Sequence, residues 1–102
     1  MLLIDCLTLW VSNLLWQGEE QGTPINEDAV AECTKPIVEA CRAVDKTVVL
    51  VTNEVGFGIV PDNELARRFR DLLGRCNQCF GRAADEVVLV VCGIPTTIKP
   101  AR

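Results

Sequence analysis

A chain of 102 residues is enough for one core of ordinary domain size. With 49% hydrophobic and 24% charged residues it has a globular balance, which excludes a disordered chain. A net charge of −4 gives no global attraction for nucleic acid or an anionic membrane, and no apolar run approaches the ~20 residues of a membrane span.

Met1-Leu2-Leu3-Ile4-Asp5 lacks the basic start of a signal peptide, so the cytoplasm is the expected compartment. The six cysteines read as small core residues rather than three disulfides, because the periodic elements around them suffice for a core. The absence of histidine rules out Ser-His-Asp chemistry and histidine-ligated metal within these residues. No G-x-x-x-x-G-K-[ST] loop occurs either; Lys46-Thr47 follows Val44-Asp45 and not a glycine loop.

Leu2-Leu3-Ile4 reads as a short buried parallel strand with Asp5 at its carboxyl end. A core-type strand with no sequence before it predicts that the original chain began upstream of Met1. Thr8 to Trp16 reads as a helix with Leu7, Val11, Leu14 and Leu15 on one side, and Trp10 and Trp16 are expected to pack against neighbours. Gln17 to Asn26 is polar, with two glycines and a proline, and predicts a surface loop.

Asn26 caps the next helix, which runs to about Val44 and buries Val30, Ile37, Ala40, Cys41 and Val44. Pro36 should kink or divide it. Thr47 to Val51 is a strand by its β-branched content. After the polar Thr52-Asn53-Glu54 and the Gly56-Phe57-Gly58 loop, Pro61-Asp62 starts a helix over 63–83, with Asp62 as N-cap. Its apolar face is Leu65, Phe69, Leu72, Leu73, Cys76 and Phe80, with five arginines on its other sides. Glu86 to Cys92 is another core strand, Gly93-Ile94-Pro95 breaks it, and Thr96 to Lys99 forms a short last strand. Strands alternating with long helices predict an α/β layered fold with parallel pairing.

In an open α/β sheet, ligands sit beyond the carboxyl ends of the strands. Asp5 has the form of a strand-end acid that holds Mg²⁺, though many strands end in Asp for turn or capping reasons. Thr52, Asn53 and Glu54 on the neighbouring strand end would complete a polar rim, or merely organise the turn before the glycines. Gly56-Phe57-Gly58 is not a dinucleotide fingerprint. Cys76-Asn77-Gln78-Cys79 has the spacing of half a zinc site, but no second pair exists and core packing is favoured. The arginines of the third helix read as a solvated face, as partners of Asp71 and Glu64, or as subunit contacts.

Three stretches, LLIDCLTLWVSNLL, VVLVTNEVGFGIVPDNELARRFRDLLGRCNQ and ADEVVLVVCGI, together resemble the bifunctional adenosylcobinamide kinase / adenosylcobinamide-phosphate guanylyltransferase family of cobalamin biosynthesis. The resemblance runs over the whole chain but covers only the later part of a family member. It implies a parallel-sheet P-loop NTPase fold of the RecA-like kind, with residues 1–102 as the C-terminal portion of a single domain, truncated and lacking the N-terminal P-loop portion. It implies phosphorylation of adenosylcobinamide by GTP or ATP with Mg²⁺. Transfer of GMP from GTP through a guanylylated histidine then gives adenosylcobinamide-GDP. A homo-oligomer, typically a trimer, is also implied.

Residue by residue, Asp5 matches the acidic position that contacts the nucleotide or its metal. Asn53, Glu54, Gly56, Gly58 and Pro61 match the NEVG-x-GIVP signature, with Thr52 beside them, as site-lining or subunit-contact residues. The chain departs from the pattern in having neither the phosphate loop nor the histidine. No catalytic residue and no resident metal ligand is therefore assigned, and the chain alone is expected to be inactive. Two rival readings are a binding or oligomerisation module that kept the fold without the chemistry, and a different P-loop kinase. The TNEVGFGIVP stretch argues against the second.

Overall fold

The computed structural model describes residues 1–101. β1 (Leu2–Asp5) is followed by α1 (Leu7–Glu20), α2 (Glu27–Ala43) and β2 (Val48–Val51). A single 3-10 turn at Val55–Phe57 then leads to α3 (Glu64–Ala83), β3 (Val87–Val91) and β4 (Ile94–Lys99). β1 and β2 pair in parallel, with Leu3 opposite Val49, Ile4 opposite Leu50 and Asp5 opposite Val51. The α/β class and this parallel pair agree with the sequence pattern.

The third strand departs from it. β3 does not join β1 and β2 but pairs antiparallel with β4, so the parallel sheet among the described residues has two strands. The antiparallel pairing follows from the turn between them. Cys92 and Gly93 both take positive φ, 53° and 73°, the geometry whose twist suits a two-residue hairpin. Closing so short a loop costs little entropy, and Pro95, expected to break the chain, is tolerated on an edge strand.

α1 runs four residues further than periodicity predicts, to Glu20, into the stretch expected to be loop. Gly18 explains the extension: it is buried, and a Cβ there would stand 2.8 Å from the Thr23 carbonyl oxygen and 3.1 Å from the Ile25 nitrogen. The absent side chain lets the chain fold straight back over the helix end. α2 is capped as predicted, the Asn26 Oδ1 accepting from the Ala29 N–H at 2.8 Å. Pro36 does not divide it. α3 is capped by Asn63 and not Asp62; its Oδ1 accepts from the Ala66 N–H at 2.7 Å.

The core is built entirely from helices: Leu7, Val11 and Leu15 of α1, Val30 of α2, and Leu72, Leu73, Cys76 and Phe80 of α3. The predicted stripe of α3 is thus confirmed over its second half, with Leu65 and Phe69 packed at the margin. In α2 the predicted pattern holds only in part. Ile37 and Cys41 are half-buried, Ala40 and Val44 are exposed, and Thr34 is buried with its hydroxyl donating to the Ala31 carbonyl at 2.7 Å. Trp10 packs on the core, whereas Trp16 is 54% exposed.

Helices cover one face of the strands only. Ile4 and Leu50 lie opposite each other and pack against the core, while their alternating neighbours Leu3 (64% exposed), Val49 and Val51 face away. Val88, Val90 and Ile98 of the hairpin are equally bare. The accessible surface is 7184 Å², against roughly 5,700 Å² for a compact monomer of 11.2 kDa. That excess, roughly 1,500 Å² on one chain, is about twice the ~800 Å² that each partner contributes to a standard protein–protein interface.

The isolated chain is therefore expected to self-associate, with an apparent mass in light scattering that rises with concentration. Val90→Lys together with Ile98→Lys should lower that mass while leaving the far-ultraviolet dichroism unchanged. A monodisperse monomer of the unsubstituted chain at high concentration contradicts this.

Candidate functional site

The parallel register places the carboxyl ends of β1 and β2 side by side. Asp5 stands opposite Val51, so Thr52 and Asn53 follow one and two residues past that pair, where the backbone leaves the sheet. Main-chain groups there need new partners. The Asn53 N–H donates to the Thr8 hydroxyl oxygen at 3.2 Å, and its side-chain Nδ2 donates to the same oxygen at 3.1 Å. The Asn53 carbonyl accepts from Asn77 Nδ2 at 2.9 Å, while the Thr52 hydroxyl donates to Asn77 Oδ1 at 2.6 Å. One short segment is thereby tied to the first turn of α1 and the second half of α3.

Thr8 and Asn77 did not emerge from sequence patterns. Thr8 sat inside an apolar helix start, and Asn77 lay between two cysteines whose spacing drew attention to themselves. The available signal was positional: a threonine three residues after the strand-end Asp5, and an amide next to the buried stripe.

Asp5 is exposed and takes part in none of the three ion pairs among the described residues. α1 begins directly after it, and its N-cap, Cys6, offers no side-chain cap bond. Among the described residues the Asp5 carboxylate makes no ion pair, and it stands at the same strand-end edge as Thr52 and Asn53; a strand-end carboxylate is a group that can hold a hydrated Mg²⁺.

Beyond Asn53 the loop holds its own shape. Glu54 Oε1 accepts from the Gly56 N–H at 3.1 Å, and the Gly58 N–H closes the turn onto the Val55 carbonyl at 3.2 Å. A Cβ at residue 56 would stand 2.9 Å from that Glu54 oxygen, so any side chain there displaces the carboxylate. Arg70 donates to the Gly56 carbonyl at 2.6 Å and Arg67 to the Pro61 carbonyl at 3.0 Å. Arg68 pairs with Glu19 of α1. Of the readings open for these arginines, ion pairing with Asp71 and Glu64 is not found among the described residues. Of the predicted site residues, Asp5, Thr52 and Asn53 are brought together, Glu54 and Gly56 adjoin them, and Gly58 and Pro61 lie further along the loop.

The two cysteines of the C-x-x-C stretch are free. Cys76 is wholly buried in the core, and burial pushes its thiol up from 9.0 to about 12, with the neighbouring Cys79 adding to the shift. Among the described residues no group of three or more His, Cys, Asp or Glu side chains could hold a metal ion, and no helix is long and apolar enough to cross a membrane.

Residues 1–98 match the family model described as cobinamide kinase / cobinamide phosphate guanyltransferase. The chain belongs to that family. It is 46% identical over 104 residues to the bifunctional adenosylcobalamin biosynthesis protein CobU of Salmonella typhimurium, covering 96% of this chain and 58% of that protein. It is 44% identical to the CobU of Escherichia coli, over 97% of this chain and 58% of the relative. With the bifunctional protein CobP of Pseudomonas aeruginosa it shares 36% identity, over 96% of this chain and 53% of the relative. The chain thus spans somewhat more than half the length of the curated relatives it matches.

Two measurements test how this family segment is held together. Asn77→Ala leaves the Thr52 hydroxyl and the Asn53 carbonyl without protein partners, and a loss of about 1 kcal/mol in urea unfolding is expected because water reaches these exposed groups. An unchanged midpoint would show that the bonds contribute nothing. Cys76, raised in the folded state, should add stability that is intact below pH 9.0 and is lost progressively as pH rises toward about 12. Cys76→Ala should flatten that alkaline decline; an identical slope in both proteins refutes it.

Proposed function

We propose that this chain supplies the strand-end edge of an enzyme that phosphorylates adenosylcobinamide and then transfers GMP from GTP to the product, giving adenosylcobinamide-GDP. Family membership supports the reaction class. The observation that carries the assignment to this edge is the parallel register, which sets Asp5 beside Thr52 and Asn53 at the carboxyl ends of β1 and β2. Asp5 would hold the Mg²⁺ of GTP or ATP, through water or directly. Thr52 and Asn53 would be fixed in place by Thr8 and Asn77. Glu54, Gly56, Gly58 and Pro61 would shape the wall along which the substrate lies.

Residues 1–102 correspond, in this reading, to the C-terminal portion of one domain whose working form is a homo-oligomer. On their own they do neither reaction. The triphosphate needs a cradle of backbone amides with a lysine, and guanylyl transfer needs a nucleophile such as histidine. The 102 residues contain neither a phosphate loop nor a histidine.

Purified chain mixed with GTP and adenosylcobinamide should therefore show no turnover above a blank. Adding the separately expressed remainder of the Salmonella typhimurium relative should restore it, and Asp5→Asn should cut the restored rate by about 10- to 100-fold. Turnover by the chain alone would sink the inactivity claim. Restored turnover indifferent to Asp5→Asn would remove Asp5 from the site.

A further inference from the structure

The arginines of α3 divide by the company they keep. Arg68 is neutralised by Glu19. Arg75 donates to Gln78, and with Arg82 it lines a groove between α2 and α3 that also holds Asp28, Glu32 and Glu39. Arg67 and Arg70 are different. One turn apart on the helix, they bind the main-chain carbonyls of Pro61 and Gly56, and neither belongs to any of the three ion pairs among the described residues. Glu54, which stands on the Gly56 N–H, forms no ion pair with Arg70.

Holding a carbonyl needs only a neutral donor; a glutamine amide would do it without bringing charge. Two arginines one helical turn apart add positive charge that the loop does not require, in a chain whose net charge is −4. Each guanidinium has five N–H donors in a planar fork. One is spent on its carbonyl, and the tether fixes the plane of the remainder. Arg67 is exposed and Arg70 half-buried, so donors remain open to a ligand at low ordering cost. A planar fork with fixed orientation matches the oxygens of a phosphate in paired hydrogen bonds better than any neutral acceptor.

We propose that Arg67 and Arg70, pre-oriented by the Pro61 and Gly56 carbonyls, form a phosphate clamp at the rim of the strand-end edge. The clamp grips a phosphoryl or diphosphate group of a ligand seated there. It rests on the reading that this edge handles phosphorylated substrates, and it names which side chains outside the strand ends meet the phosphate.

The test is a titration of the chain with inorganic pyrophosphate and, separately, inorganic phosphate, followed through the arginine Nε–H signals by nuclear magnetic resonance. Shifts confined to Arg67 and Arg70, with Arg75 and Arg82 still, are expected. Pyrophosphate binding at least tenfold tighter than phosphate would indicate a nucleoside polyphosphate, and similar affinities a phosphate monoester; both uphold the clamp. The double variant Arg67→Gln, Arg70→Gln keeps a neutral donor for each carbonyl and should lose tenfold or more in affinity, whereas Arg75→Gln should lose none.

Absence of shifts, equal shifts at all four arginines, or full affinity in the double variant overturns the proposal. So does movement of the Arg67 and Arg70 signals on simple dilution without ligand, which would assign the charges to a second copy of the chain. Should the double variant fail to fold, the pattern of shifts in the unsubstituted chain decides alone. Neither readout involves turnover or cobinamide. Failure of the clamp therefore leaves the proposed reaction standing, and failure of that reaction leaves the pyrophosphate shifts unexplained by it.

Discussion

Everything at the candidate site follows from the parallel pairing of β1 with β2. Parallel strands cannot be joined by a tight turn, so the chain must cross back through α1 and α2 before β2 can form. The same pairing sends both carboxyl ends the same way, and there the ladder stops. Backbone groups that the sheet no longer satisfies must be satisfied by something else. Asn53 finds a hydroxyl on the helix that has just left β1 and an amide on the helix that packs across the core. A polar residue just past a strand end is thus held from two helices at once, which is the condition for presenting it in a fixed position.

The same accounting extends along the loop. Gly56 has its N–H taken by Glu54 and its carbonyl by Arg70, and Pro61, which has no N–H to place, has its carbonyl taken by Arg67. Side chains do here what neighbouring strands do in a sheet. That so exposed a segment, with Phe57 81% and Ile59 95% accessible, still has partners for backbone groups of Val55, Gly56, Gly58 and Pro61 separates it from an ordinary surface loop.

Local chemistry was well legible in the sequence. The continuous apolar runs gave β1 and β2, Asn26 gave a cap, and the three-four spacing gave the buried face of α3 through Leu72, Leu73, Cys76 and Phe80. What failed were choices that depend on where the chain returns. β3 reads as a parallel core strand, because an apolar run does not announce its partner; the positive φ at Cys92, a residue not usually found there, decided for the hairpin. Gly18 reads as a helix breaker and is instead a space for the backbone of Thr23 to Ile25. Asp62 and Asn63 are both good caps, and one residue of register separated them. The arginines of α3 had acids at helical spacing within reach, yet Arg67 and Arg70 took loop carbonyls and Arg68 took Glu19, all outside the helix. At the site, Asp5 and Thr52 to Glu54 were legible as polar residues ending apolar runs; Thr8 and Asn77 were not, because their partners lie 45 and 24 residues away in sequence.

The bare outer face and the strand-end edge are one physical problem. Helices order the strands from one side only, through Ile4 and Leu50, while Leu3, Val49 and Val51 face away without a covering layer. A two-stranded parallel pair has little stability of its own, since parallel sheets persist where both faces are buried. Asp5 and Thr52 can be no better fixed than the strands that carry them. Anything that covers Leu3, Val49 and Val51 therefore also sharpens the geometry at the carboxyl ends, and a ligand that needs that geometry favours the covered state by the same free energy. Coupling of this kind needs no moving part: it follows from placing the polar edge at the end of strands that only half the fold supports.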